Sequence, residues 1–441
     1  MTQDTQVKTR WAPVVALAMA MLAVTTEMTV AAVALPSMGA ELDVGPSAAA
    51  WVLLAYTLPM AAIAIPAGRW VDRVDVRSAF LLALTGVGLA SVLTAVAPSF
   101  WVLVLGRVLQ GVAGSLVLAG YMPIVVAAVA PEQRGRAVGY VMTIMTVGGL
   151  AGAPLGGLVA GAFGWRAVFL LKMPLLVAVV LLVLRTVRGD GRGLPLPDRG
   201  LLLEAVLLGG AITAVLLAFE DRPWVALVAV ALAVLWGRLP ASRPVLTLVR
   251  QARFARPLVT LLLFAALGGL MFFLVPYFVS DVLGGSPEDV GLALLVFVGG
   301  VAALASIGGN LADRHGPWLV GVVGAVVTVA GMATLLLPVD DMWGLVWRLA
   351  VIGVGQGLFN AAINTLLMSV APAGMEGAVG GISGTARMLG TTVGPAVAAL
   401  VAGLAGNGST GFRVGVAVLG ALAVVGTAVL ATGRPRRPVS R

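Results

Sequence analysis

The sequence predicts an all-α membrane protein of fourteen transmembrane helices in two related halves, and three observations support this fold class. Only 11% of the 441 residues are charged and 60% are hydrophobic, whereas about a quarter of the residues in a soluble domain are charged. The apolar residues form long stretches near the roughly 20 residues that a membrane-spanning helix needs. Finally, the second half of the chain repeats landmarks of the first half at a constant offset.

The composition also excludes several kinds of site. The chain contains no cysteine and a single histidine, His315. Disulfides, thiolate nucleophiles and metal sites with several histidines are therefore excluded, and we expect neither a cofactor nor a bound metal. The net charge of +9 would suit a protein that binds nucleic acid. The distribution of the basic residues instead favours contact with a membrane surface.

Fourteen apolar stretches bounded by charged residues, proline or glycine are candidate spans. They lie near residues 12–36, 48–68, 78–97, 100–129, 138–163, 167–184, 201–219, 223–240, 257–280, 288–311, 317–338, 343–370, 377–405 and 412–432. The first stretch follows basic residues, as a signal peptide does. It is too long for one and further spans follow at once, so we expect a retained helix.

The basic residues test this topology. If the N-terminus is cytoplasmic, 21 of the 28 basic residues fall in cytoplasmic segments. Three fall outside, namely Arg166, Arg222 and Arg413, and four fall within spans, namely Arg107, Lys172, Arg348 and Arg387. Cytoplasmic loops of membrane proteins are enriched in basic residues. We therefore expect both termini in the cytoplasm and, because arginine greatly outnumbers lysine in an alanine-rich and glycine-rich chain, a bacterial inner or plasma membrane.

The two halves of the sequence align without gaps at an offset of 241 residues. Asp72-Arg73 aligns with Asp313-Arg314, and Arg107 aligns with Arg348. Further matches are Pro46 with Pro287, Gly68 with Gly309, Gly114 with Gly355, Ala130-Pro131 with Ala371-Pro372, Gly139 with Gly380 and Pro154 with Pro395. Parallel repeats of this kind predict a binding site between two pseudo-symmetric halves. We expect an N-terminal six-helix bundle at 1–184, a linker with inserted helices 7 and 8 at 185–256, and a C-terminal six-helix bundle at 257–441.

Glu27 is the only carboxylate deep inside a predicted span. Counting 1.5 Å per residue from the outer ends places Glu27 roughly 15 Å and Arg107 roughly 12 Å below the outer surface. Charged side chains are costly inside a membrane unless they are paired. We therefore expect an ion pair whose carboxylate takes up a proton from one side and releases it to the other. A purely structural ion pair is the alternative.

A charged loop separates spans 2 and 3 and is copied in part between spans 10 and 11. Asp72 could accept from a helix N-terminus or a basic neighbour, and the arginines could reach an acid on the facing half. Such a contact would hold one state until it breaks; a solvated loop is the simpler alternative. The candidate gating residues are Gly68, Arg69, Asp72, Arg73, Arg77, Asp313 and Arg314.

Span 5 carries small residues at helix-crossing spacing around a proline, with Gly152, Pro154 and Gly157 at its centre. This pattern predicts close packing and a bend. Polar, aromatic and methionine side chains in other spans are candidates for the lining of an adaptable substrate cavity, although such residues also face lipid or core. They are Tyr56, Met60, Gln110, Tyr121, Met122, Met271, Phe272, Asn360 and Asn364.

Together these motifs resemble the major facilitator superfamily, and within it the fourteen-span drug:proton antiporter branch. Residues 68–77 are similar to the family's loop 2–3 signature, with Asp75 where glycine is usual. Residues 105–111 match the span 4 signature, which the family associates with proton transfer. Residues 27–36 match the branch's span 1 signature, with glutamate where aspartate is usual. The resemblance implies the major facilitator fold and makes Glu27 the coupling carboxylate.

The chain departs from the branch at several positions. Lys172, within the span 5–6 junction that otherwise matches at residues 165–174, stands where asparagine is usual. Ala153 and Leu158 replace glycines of the span 5 signature. Span 10 offers no acid for the second charge of a dication, which disfavours dicationic substrates.

The sequence therefore predicts a proton-coupled antiporter, not an enzyme, that exports small lipophilic drugs, antibiotics or metabolites by alternating access. Glu27 would hold a proton or a positively charged group, so a cationic substrate is one option. The expected partners are this substrate, protons and the lipid bilayer, with no nucleic acid, and the protein is expected to be a monomer. An uptake symporter or a dedicated lipid or sugar exporter of the same fold is the alternative. A membrane-embedded enzyme or a sensor subunit is a distant one.

Overall fold

A computed structural model describes residues 9–130, 133–218, 224–370, 376–406 and 408–433. The regular structure in these ranges is entirely helical. Fourteen principal helices follow the predicted spans: α1 Trp11–Val33, α2 Pro46–Val71, α3 Val76–Ala95, α4 Phe100–Ala128, α5 Arg134–Phe163, α6 Trp165–Thr186, α7 Arg199–Ala218, α8 Val225–Arg238, α9 Ala252–Val282, α10 Pro287–His315, α11 Pro317–Thr334, α12 Met342–Ser369, α13 Glu376–Ala405 and α14 Ser409–Ala431.

Thirteen of these helices, in the part of the chain that the structure describes, are long and apolar enough to cross a membrane. The exception is α8, whose 14 residues reach about 21 Å against a hydrocarbon core of about 30 Å. The predicted fourteen spans are therefore confirmed for thirteen and only approximate for the eighth. Lys8, Arg222 and the arginines after 433, which entered the topology argument, lie outside the described residues, as do Pro131 and Ala371-Pro372 of the repeat.

Local sequence explains where several helices begin. Proline occupies the first turn of α2, α10 and α11, where its fixed φ suits the helix and no N–H is lost. Asp75 and Asp341 cap α3 and α12 by accepting hydrogen bonds from backbone N–H groups, and Ser286 forms a capping box with Asp289 at the start of α10. Such caps satisfy N–H groups that have no partner within the helix.

The helices pack as two groups with a hairpin beside them. In the first group α1 lies against α5 and α6, and α4 packs against α2 and α3. In the second group α12 packs against α10 and α11, and α9 packs against α13 and α14. Helices α7 and α8 pair with each other, and α7 lies on α2. This grouping follows the predicted order of bundles, whereas the domain boundaries at residues 184 and 256 stay a prediction.

The two groups meet through α5 with α10 and through α2 with α13. At the predicted outer ends this contact is close, because a Cβ at Gly157 would lie 2.6 Å from the carbonyl oxygen of Pro287. Toward the predicted cytoplasmic side, a Cβ at Gly68, Gly309 or Gly384 would meet no described atom within 4 Å. The halves are thus in close contact at the predicted outer end.

We expect Gly111→Ala to destabilise the protein. A Cβ at Gly111 of α4 would overlap the carbonyl oxygen of Tyr56 in α2, and overpacking of this kind costs about 1–3 kcal/mol. Gly149→Ala in α5 is the matched control, since its Cβ would meet no described atom within 4 Å. Both variants gain the same helix propensity. Thermal unfolding in detergent should show a lower midpoint for Gly111→Ala alone; equal midpoints would contradict this packing.

We expect Asp75→Ala to loosen the loop between α2 and α3 at neutral pH. The Asp75 carboxylate accepts hydrogen bonds from the backbone N–H groups of Ser78 at 2.7 Å and Asp190 at 2.6 Å. Burial raises the pKa of Asp75, but these hydrogen bonds outweigh burial and lower the pKa to about 2. The unfolded value is about 3.9, so the stabilisation is complete above about pH 4 and is lost as the pH falls toward 2. The gap in unfolding temperature between wild type and variant should therefore narrow in acid, and Asp72→Ala is the control in the same loop.

Candidate functional site

The polar centre of the first half is a buried carboxylate held by two cations. Arg107 of α4 donates from Nη1 to Oε1 of Glu27 in α1 at 2.5 Å, and Lys172 of α6 donates from Nζ to Oε2. Only 5% of the Glu27 side chain is exposed, with 0% of Arg107 and 8% of Lys172. The structure thus brings together the two residues expected to pair, and it adds a third.

The sequence analysis noted Lys172 as a departure from the family pattern and assigned it no contact with Glu27. Counting the depth of Lys172 along its helix would have indicated this contact. Lys172 lies seven residues after the outer start of α6 at Trp165, which is about 10 Å below that end. This depth matches that of Arg107 from the same surface, so both cations were within reach of Glu27.

Neighbouring groups fix Arg107 in place. Its Nε donates to the carbonyl oxygen of Val52 in α2 at 2.7 Å, and Nη1 also donates to Oε1 of Gln110 at 2.9 Å. Gln110 in turn donates to Oγ of Ser91 in α3 at 2.9 Å. The guanidinium carbon lies 4.5 Å from the centre of the Tyr56 ring, a distance at which a cation and an aromatic face attract each other. The arginine therefore links α1, α2 and α3 through hydrogen bonds.

The three charges leave the centre with one positive charge in excess. Two opposite charges attract strongly where water is excluded, and removing one partner leaves a costly unpaired charge. Proton binding to Glu27 would remove the charge that holds both cations. This arrangement can therefore convert the arrival of a proton into a loosening of α4 and α6 from α1.

A cavity of about 200 Å³ lies beside this centre, between α1, α5 and α6. Glu27 and Lys172 are its charged lining residues, and apolar or small side chains form the rest. Gly152 of α5 belongs to this lining and packs against Thr26 and Thr29 of α1. The pair of Glu27 and Lys172 therefore forms part of the cavity wall.

The remaining candidates for the cavity lining lie in different surroundings. Tyr56 and Met60 are buried in the core of the first half. Met271 is also buried, in an apolar cluster to which both halves contribute, and its place in a substrate cavity stays a prediction. Its side chain lies on the packed face of α9, where the chain turns through two short π-helical segments. Met122 is exposed on α4, whereas Tyr121 and Phe272 are half-buried.

Asn360 and Asn364 of α12 hold a residue to which the sequence analysis gave no role. Arg387 of α13 donates from Nη1 to Oδ1 of Asn360 and from Nη2 to Oδ1 of Asn364, each at 3.0 Å. Asn360 also donates to Oε1 of Gln356 at 3.4 Å. A basic residue inside a span was visible in the sequence, but its amide partners could be chosen only once α12 and α13 were adjacent.

The candidate gating arginines bind the end of α6 and the chain that follows it, not the facing half. Arg69 pairs with Glu204 of α7 at 2.8 Å, and Arg73 pairs with Asp198 at 2.5 Å. Arg77 donates to the carbonyl oxygen of Leu184 at 2.9 Å. The expected contact with the facing half is not made in the described structure, because the chain after α6 folds back over this loop.

Other parts of the expected gate are placed as follows. Asp75, not Asp72, caps α3, while the Asp72 carbonyl oxygen accepts from Arg192 at 2.7 Å. Asp313 and Arg314 are exposed in the last turn of α10, where the helix dipole favours a basic side chain.

The helix α5 continues without a break through Pro154. Within the described ranges, no three histidine or acidic side chains are grouped so that they could hold a metal ion.

Several known proteins are similar to this chain in sequence. The chain is 31% identical to the "Multidrug resistance protein Stp" of Mycobacterium tuberculosis, over 83% of this chain and 71% of the relative. It is 28% identical to the "Tetracenomycin C resistance and export protein" of Streptomyces glaucescens, over 88% of this chain and 75% of the relative.

The fold also matches that of a solved transporter. The structure of a bacterial homologue of the human lysosomal transporter Spinster, in an inward-facing and occupied conformation, superimposes with a TM-score of 0.72. That alignment covers 95% of this chain and 96% of the other at 17% identity. The family model of the Major Facilitator Superfamily matches residues 16–395. The protein is a multi-pass membrane transporter, not an enzyme, and it belongs to the Major Facilitator Superfamily.

Proposed function

We propose that the protein is a proton-coupled antiporter that exports small lipophilic compounds across a bacterial plasma membrane. The observation that carries this proposal is the carboxylate of Glu27, buried at membrane depth between cations from two other helices. Ionisable residues in such positions are typical of proton pathways in transporters. The names of the relatives, which refer to multidrug resistance and to antibiotic export, support export as the direction.

In this proposal the proton and the substrate bind to alternating conformational states of the same protein. With Glu27 ionised, Arg107 and Lys172 hold α4 and α6 against α1. A proton from outside neutralises Glu27, the two cations lose their partner, and the first half changes its packing against the second. Release of the proton to the cytoplasm restores the ion pairs. The binding of a proton thereby favours one of two states, which is the requirement for coupling.

We assign the gate to the loop between α2 and α3 and its copy after α10. Arg69 and Arg73 are held by Glu204 and Asp198 in this structure. Closing this side would bring the loop toward Asp313 and Arg314, so that the arginines exchange partners. Both termini would lie in the cytoplasm, and the protein would act as a monomer, since each chain carries both halves.

The substrate class in this proposal is small and lipophilic. A substrate with a positive charge would have to compete with Arg107 and Lys172 for Glu27, which disfavours the cationic option. Uptake driven by protons is the alternative task for this fold. The direction in which a substrate moves under an imposed pH gradient separates the two.

We expect Glu27→Gln to abolish transport driven by a pH gradient. Glutamine keeps the size of the side chain but cannot exchange a proton. The measurement uses proteoliposomes with a pH-sensitive dye inside and a panel of lipophilic cations and neutral antibiotics outside. Glu41→Gln is the matched control, because Glu41 is an exposed carboxylate at the outer end that pairs with Arg166. Full pH-driven transport by Glu27→Gln would rule out the coupling role.

The Glu27→Gln variant alone leaves two buried cations without a carboxylate, which costs about 3–5 kcal/mol. We expect Lys172→Met in the same chain to recover part of this stability, because one unpaired charge is removed. The double variant should unfold at a higher temperature than Glu27→Gln and should still show no pH-driven transport. If the double variant regained coupled transport, loss of transport in Glu27→Gln would reflect folding and not proton exchange.

A further inference from the structure

The second half of the protein carries a charged group that the proton-coupling centre does not use. Arg387 is half-buried in α13, five residues or about 8 Å inside the apolar stretch Ile382–Ala405. No ion pair among the described side chains includes it. Its side chain donates hydrogen bonds to the amide oxygens of Asn360 and Asn364. These neutral groups orient the guanidinium but do not compensate its positive charge.

This arrangement differs from that of an arginine that merely reaches toward lipid headgroups. A snorkelling side chain extends to water along an apolar surface. Arg387 instead points to α12, where two carbonyl groups one helical turn apart hold its two terminal nitrogens at equal distances of 3.0 Å. Two of its donors are thereby fixed, and the others remain for a ligand, because a guanidinium carries five N–H donors.

The position is also open toward the predicted cytoplasmic side. Gly380, Gly384 and Arg387 follow the i, i+4, i+7 spacing of one helix face. A Cβ at Gly380 or Gly384 would meet no described atom within 4 Å. Asn364 is itself exposed although it lies inside the span of α12. A polar exposed side chain at this depth indicates a water-filled space between the halves and not a lipid-facing surface.

We propose that Arg387, held by Asn360 and Asn364, binds the anionic group of an amphiphilic substrate that enters from the cytoplasmic side. A carboxylate matches the guanidinium, which forms two parallel charge-assisted hydrogen bonds with the two oxygens of such a group. The coupling centre, with two cations for one acid, also disfavours a cationic substrate. This inference rests on the proposed export function and narrows its substrate class from lipophilic compounds to lipophilic acids.

The test uses three probes that share one ring system and differ in charge: anthracene-9-carboxylate, anthracene-9-carboxamide and 9-(aminomethyl)anthracene. Binding is measured by energy transfer from tryptophan, with the full chain in phosphatidylcholine nanodiscs, so that no anionic lipid competes. The wild type should prefer the carboxylate to the amine. Arg387→Gln should weaken carboxylate binding about tenfold and leave amide binding unchanged, while Arg387→Lys should lie between them.

Arg413→Gln is the matched control, since Arg413 is an exposed arginine close to the start of α14, at the predicted outer end. Equal loss of carboxylate binding in Arg413→Gln and Arg387→Gln would overturn the proposal. So would a preference for the amine, equal binding of all three probes, or no binding of the carboxylate. If, in nanodiscs that also contain phosphatidylglycerol, Arg387→Gln changed only the binding of that lipid, the site would belong to a lipid headgroup and the proposal would fall. Thermal unfolding of each variant separates a lost site from a lost fold.

Transport of the same probes distinguishes the two proposals. Suppose that the carboxylate binds through Arg387 but no probe moves under a pH gradient in wild-type proteoliposomes. That result would contradict proton-coupled export and support the anion site. Conversely, pH-driven movement of the amine that depends on Glu27 and not on Arg387 would keep the export function and remove the anion site. Carboxylate transport that depends on both residues is the expected result.

Discussion

The ion pairs of Glu27 determine how the first half of this transporter is assembled. A carboxylate at membrane depth is stable only with a countercharge, and here two helices each supply one. Since Arg107 also donates to the carbonyl oxygen of Val52, the same side chain ties α2 to the centre. Four helices thus meet at one acid, and the close packing at glycines such as Gly111 is what allows their side chains to reach it.

The duplicated sequence did not produce two equal centres. Arg348 occupies the position that corresponds to Arg107, yet it donates to the carbonyl oxygen of Pro338 at 3.0 Å and forms no ion pair with a described carboxylate. The second half instead places its polar contacts lower in the membrane, where amides hold Arg387. The proposed proton exchange therefore belongs to the first half, and the second half carries a cation without a carboxylate partner among the described side chains.

The features of this structure that could be predicted from the sequence follow from hydropathy and from residue position along the chain. Hydropathy located thirteen spans, and the residue count from the outer surface placed Glu27 beside Arg107, because depth in a membrane follows from position along a helix. The partners of Arg69 and Arg73 could not be predicted, since the segment after α6 has no periodicity to indicate its path. The cavity residues, Met271 among them, stay predictions, because hydrophobicity alone does not distinguish a cavity wall from a packed core.

The separation of the two centres constrains how coupling can work. Glu27 lies in the first half and Arg387 in the second, so neither charge directly displaces the other's ligand. The halves are in contact through α5 with α10 and through α2 with α13, and α1 itself touches α9 and α10. The contact of α5 with α10 is made at small residues, such as Gly157 against Pro287, whereas larger apolar side chains of α2 and α13, such as Leu58 and Leu389, share one cluster. In the proposed mechanism, a proton that loosens α1 from α6 would therefore act on the proposed anion site through these contacts between the halves.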